Sequence, residues 1–82
     1  MLGSDLAPHL DRDAVLYVDS SLDLTLCAMA IARDNAHAVN AWLTLGTLRR
    51  PTPDERALWR STPDRSWRAV VVQPFVLIQA LN

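Results

Sequence analysis

The sequence predicts a small α+β domain. A mixed sheet of about three strands, at residues 14–18, 47–50 and 69–79, is covered by three or four helices at residues 5–12, 21–33, 35–45 and 53–61. Three observations carry this. Residues 69–79, AVVVQPFVLIQ, form the longest apolar run, hold no charge, and are β-branched or aromatic at most positions, which favours strand. Thr52-Pro53-Asp54-Glu55 has the spacing of a capping box with proline at the first helical position. Residues 21–45 place apolar side chains at helical spacing between cap-forming Asp and Asn residues and end at Gly46.

The chain has 82 residues, enough for one domain, residues 1–82, with a single modest core. Half the residues are apolar and the formal net charge is −1, which argues against disorder and against a general polyanion binder. No apolar segment reaches the ~18–20 residues of a membrane span. The opening MLGSDLAPHLDRD lacks the basic and apolar regions of a secretory signal. The one cysteine, Cys27, excludes an internal disulfide and suits a reducing compartment, so a cytoplasmic location is expected. All eight basic residues are Arg; with abundant Ala and Leu, this fits a GC-rich bacterial genome.

In chain order, Ser4 is placed to cap a helix over residues 5–12, with Leu6 and Leu10 facing inward. AVLYV at residues 14–18 reads as a strand ending in the turn cluster Asp19-Ser20-Ser21. Ser20 and Asp23 have capping-box spacing for a helix over residues 21–33. That helix is apolar on two opposed faces: Leu22, Leu26 and Met29 on one, Leu24, Cys27 and Ile31 on the other. A helix of this kind is sandwiched, one face on the sheet and the other against a second helix or a second chain. Residues 22–26 also alternate like a strand; the Ala-rich second half favours helix. Asp34 and Asn35 can cap the next helix, residues 35–45, with Val39, Trp42 and Leu43 inward. After a short strand at residues 47–50, the helix at 53–61 turns Leu58 inward. In the last run, Pro74 has no N–H for a sheet ladder. The expected form is two strand segments kinked at Pro74. A hairpin at Gln73–Pro74 is the rival, disfavoured because two-residue turns prefer Gly or Asn.

YVDSSLDL at residues 17–24, AWLTLG at 41–46 and WRAVVVQPFVLIQ at 67–79 together resemble a family of small uncharacterised bacterial proteins, catalogued only as a domain of unknown function. The resemblance covers about residues 4–79, and its motifs are structural rather than catalytic. It implies a compact α+β domain and carries over no catalytic residue. Members of the family usually have a further N-terminal segment.

Charge is unevenly spread. The first 48 residues hold two Arg against six Asp, and the rest hold six Arg against three acids. Arg49, Arg50, Arg56 and Arg60, with Trp59 beside them, form a candidate anion- or partner-binding set, since Arg beside Trp can hold phosphate and stack a base. The helix-helix-strand-helix order is also loosely that of a winged helix. The slightly acidic chain and the absence of a polar-basic recognition helix oppose nucleic-acid binding. Pairing with the acidic N-terminal half, or plain solvation, is the default expectation for these cations.

Asp19 and Asp23, at a strand end and a helix start, suggest metal or phosphoryl chemistry. They lack a third ligand, a glycine-rich loop and a Walker-type Lys, and capping explains both. His9 and His37 have no metal partner at suitable spacing. Cys27 sits in the most apolar helix, unlike a reactive thiolate. No catalytic residue, metal ligand or cofactor is therefore assigned. The expectation is a non-enzymatic interaction or scaffold module, homodimeric, with another protein as a further possible partner. Polyanion binding through Arg49–Arg68 is the alternative, and a small metal or phosphate enzyme using Asp19 and Asp23 the third.

Overall fold

The computed structural model describes residues 1–81. Four helices, α1 (Gly3–Asp11), α2 (Leu24–Ala32), α3 (Ala36–Leu45) and α4 (Pro53–Arg60), accompany four strands, β1 (Val15–Val18), β2 (Leu48–Arg49), β3 (Trp67–Val72) and β4 (Phe75–Ala80). The strands form one mixed sheet in the order β2-β1-β4-β3. β4 lies parallel to β1, with Val15 opposite Val76, and antiparallel to β3. The expected α+β class and its helices are present.

The third expected strand resolves into two. The chain reverses at Gln73–Pro74, so that Val72 pairs with Phe75, and the run folds back on itself as the β3–β4 hairpin. The Gln73–Pro74 bond is cis, which places proline at the third position of a type VI turn. The preference for Gly or Asn in two-residue turns does not apply to that geometry, so the hairpin replaces the kink. β4 becomes a central strand, and its apolar run lacks alternation because both faces are covered.

Strand alternation divides the interior into two cores. Val15, Val76, Ile78 and Trp67 point to one face, where Leu6 and Leu10 of α1 and Trp59 of α4 meet them. Leu16, Val18, Leu48 and Leu77 point to the other, under Cys27 and Ala28 of α2. The two-faced pattern of residues 22–31 thus has its inner half on the sheet, and residues 24–26 are helical rather than strand.

Local details differ where tertiary partners intervene. Ser4 makes no cap. The Gly3 and Ser4 amides instead donate to the carbonyls of Arg65 (2.7 Å) and Pro63 (3.0 Å), so α1 begins two residues early. This approach requires glycine: a Cβ on Gly3 would lie 2.7 Å from the Thr62 carbonyl oxygen. α2 starts at Leu24 because Asp23, not Ser20, is its cap, its carboxylate accepting from the Leu26 amide at 3.0 Å. Asn35 caps α3, Gly46 ends it at φ 77°, and Thr52 and Glu55 form the full capping box. On α4 the inward residue is Trp59, not Leu58, which is half exposed: the larger indole fills the space over Tyr17 and Trp67. On α3, Val39 and Trp42 are half-buried, and Leu43, 47 % exposed, borders the cleft between α3 and the sheet.

Candidate functional site

The arginines singled out in the sequence converge, but on carboxylates of the same chain. Arg49, on β2, donates to both oxygens of Glu55 at 2.6 and 3.0 Å, and its guanidinium lies 4.7 Å from the Tyr17 ring centre. The Arg49 bond is the first cause holding the Glu55 carboxyl down at about 2; the Thr52 amide, 2.9 Å away in the capping box, adds to it. Arg49 in turn is raised by Glu55. Arg50 donates to the Asp13 carboxylate at 2.8 Å and to its carbonyl at 3.0 Å. Arg56 reaches the other Asp13 oxygen at 3.2 Å and the Leu10 carbonyl at the end of α1. Arg60 pairs with Asp11.

Asp13 therefore bridges two arginines lying 37 and 43 residues away in the chain. Its φ of 55° is the left-handed conformation that Asp tolerates better than most residues. Trp59 is 3 % exposed, stacked near Tyr17 (6.0 Å) and edge-on to Trp67 (4.9 Å), so its ring is not offered to a base. A further cation contact escaped sequence reasoning: Arg65 lies 4.0 Å over the Trp67 ring. Its only signal in the sequence was an Arg two residues before a Trp, which is not specific.

Asp19 and Asp23 serve the backbone. Asp19 accepts from the Ser21 hydroxyl and amide, which lower its pKa, hydroxyl first. The buried Gln79 ties down the same turn, donating to the carbonyls of Asp19 (2.9 Å) and Leu22 (2.7 Å). No group of three or more His, Cys, Asp or Glu side chains that could hold a metal occurs among the described residues. Burial raises the pKa of the fully enclosed Cys27 thiol.

The outer layer formed by α2 and α3 has a different character. Leu26 (58 %), Met29 (41 %), Leu43 (47 %) and Leu45 (75 %) are exposed there, and α3 buries no residue completely. A groove of about 230 Å³ runs between the two helices, lined by Leu26, Met29, Ala30, Arg33, Ala38 and Trp42. A second apolar cleft, about 430 Å³, opens between α3 and the sheet against Leu16, Leu48, Val39 and Phe75. Neither was legible in the sequence beyond the expectation that one face of residues 22–29 needs a cover. No helix of the described residues is long and apolar enough to cross a membrane.

Fold and surface together define a layered α+β domain in which Arg49, Arg50, Arg56 and Arg60 are paired with carboxylates of the same chain. The chain matches, over residues 3–80, the family described as "Protein of unknown function (DUF2288)", and it belongs to that family. It is similar to the NMR solution structure of PA1075 from Pseudomonas aeruginosa, with 36 % identity and a TM-score of 0.85 over 100 % of this chain and 75 % of that one. No curated protein matches it. Its function is unknown, as the sequence led one to expect.

Proposed function

We propose that this protein is a non-enzymatic protein-interaction or scaffold module that works as a homodimer. The single observation that carries this is the outer α2–α3 surface, where large apolar side chains stand in solvent and a groove runs between the helices. Exposed apolar side chains gathered along a groove, as Leu26 and Met29 are here, mark interaction sites. Between Asp23 and Arg33 the chain carries no charge, so nothing on that stretch repels a second copy. A cytoplasmic setting fits the unpaired, buried Cys27.

The polyanion alternative has less support. A phosphate approaching Arg49, Arg50, Arg56 or Arg60 must displace Glu55, Asp13 or Asp11, and Trp59 is enclosed. Enzymatic use of Asp19 and Asp23 competes with their turn and cap bonds. Sedimentation equilibrium at micromolar concentrations tests the proposal: a dimer mass is expected, and monomer throughout overturns it. Titration of labelled DNA and RNA at low salt is expected to show no binding, and salt-sensitive binding would favour the alternative.

A further inference from the structure

We infer that two copies associate about a two-fold axis near the middle of α2, with α2 antiparallel to its counterpart and Asp23 of each copy opposite Arg33 of the other. The inference rests on the homodimer proposed above and specifies its geometry.

Asp23, Leu26, Ala30 and Arg33 follow one another at intervals of three or four residues and so share one stripe of α2, with Met29 beside them. Leu26, Met29, Ala30 and Arg33 all line the α2–α3 groove. The stripe has a carboxylate at one end, a guanidinium at the other, and only uncharged side chains between. Its charged ends lie about 15 Å apart at 1.5 Å per residue.

Arg33 and Arg68 are the two arginines whose guanidinium makes no ion pair, hydrogen bond or aromatic contact among the described residues; Arg68 lines a pocket with Asp23, and Arg33 lies at the opposite end of α2 in the groove. Arg49, Arg50, Arg56 and Arg60 each have a carboxylate partner in the chain, whereas the Arg33 guanidinium has neither an ion pair nor a hydrogen bond among the described residues. One oxygen of Asp23 caps the Leu26 amide. The second carboxylate oxygen makes no bond among the described residues and can accept from outside. Asp34, next to Arg33, lines the cleft on the sheet side of α3 and not this groove.

Charge then selects the orientation. Parallel copies of α2 would set Asp23 near Asp23 and Arg33 near Arg33. Antiparallel copies join unlike charges at both ends, and a two-fold axis perpendicular to α2 produces such a pair, with the same surface used by both copies. With the axis at Ala28, midway between Asp23 and Arg33, Leu26 of one copy lies over the small Ala30 of the other, twice. The exposed Leu26 and the buried Ala30 on the groove lining thus come level with each other across the axis.

The other exposed edge is less suited to a copy. Met1 already exchanges two backbone hydrogen bonds with Trp67, at 2.7 and 2.8 Å, along the outer edge of β3, and Leu2 bridges to Ser66. Only the remainder of that edge is open to pairing.

Two measurements test the arrangement. Met29 lies one residue from the proposed axis, so the Met29→Cys protein is expected to form a covalent dimer rapidly under mild oxidation. Wild type, whose Cys27 is buried, is expected not to. In a double-mutant cycle, Asp23→Asn, which keeps a good cap, and Arg33→Gln should each weaken dimerisation about fivefold, since each removes two exposed ion pairs per dimer. The double variant should be little worse than either single one. A stable wild-type dimer with no Met29→Cys cross-link and with additive single effects overturns this geometry while the homodimer stands. A wild-type monomer overturns both.

Discussion

The two faces of the sheet are closed in different ways. The α1–α4 face carries Trp59, Trp67 and Tyr17 in one aromatic cluster, and arginines on β2, on α4 and just before α4 lock onto Asp11, Asp13 and Glu55 around it. The α2–α3 face is covered by helices rich in alanine, whose small side chains leave a groove on the outside and a cleft beneath α3. A large aromatic side chain spans the gap between helix and sheet, and an alanine does not. The first face leaves Leu58 and Val71 exposed at its margin, and the second keeps Leu26, Met29, Leu43 and Leu45 in contact with water. The comparison separates what stabilises the monomer from what is free to bind.

Substitutions can break or sharpen that division. The largest effect is expected from Trp59→Ala on the closed face: a loss of about 3–5 kcal/mol in urea unfolding, from lost apolar contact and the cavity left behind. A loss below about 1 kcal/mol would mean that this face is not the stabilising core. Leu26→Asp on the open face should act on association. It is expected to weaken the proposed dimer at least tenfold by sedimentation, with the thermal midpoint nearly unchanged, because an acidic residue suits the first turn of a helix. Unfolding of this variant would show that Leu26 belongs to the monomer core instead.

The ion pair on the closed face gives a pH effect. Glu55 has its pKa lowered from the usual 4.5 to about 2 in the folded protein. The folded state therefore binds its proton less readily than the unfolded chain. Its contribution is fully present above about pH 4.5 and is lost as pH falls through that value toward about 2. Because Arg49 and Glu55 are partly exposed, the amount is on the order of 1 kcal/mol. Urea midpoints between pH 6 and pH 2.5 should show it, and Glu55→Gln should remove that part of the slope; an unchanged slope refutes the assignment. The smallest effect is expected for Trp67→Phe. The buried Trp67 indole N–H has no hydrogen-bond partner among the described residues, so its removal relieves a desolvation cost that offsets part of the lost contact. The net change should be within about 1 kcal/mol, measured in the same unfolding experiment.

Much of this architecture is legible in the order of the residues. The Thr52–Glu55 box, the Gly46 stop and the apolar inner face of residues 24–31 are short-range patterns, and each acts within a few residues of where it is written. The expected pairing of the basic and acidic halves also occurs, but its particulars were hidden. That Asp13 serves both Arg50 and Arg56 depends on α4 packing beside α1, which no local spacing encodes. Among the candidate residues, Trp59 was placed at the surface beside Arg56 and Arg60. A helical wheel cannot tell which neighbour turns inward when both Leu58 and Trp59 are apolar, and the choice fell to the aromatic residues waiting on the sheet.

The sequence by itself determined the class of fold, the helix caps, and the fact that residues 69–79 must be buried. These follow from backbone hydrogen bonding, side-chain shape and the absence of charge, all properties of nearby residues. Only the tertiary structure decided that this run turns back at Pro74 as a hairpin, with one strand central and the other at the edge. It also decided which face of the sheet each helix covers and which apolar side chains remain outside. Those outcomes depend on contacts between residues far apart in the chain, and a linear pattern does not specify how such distant partners meet.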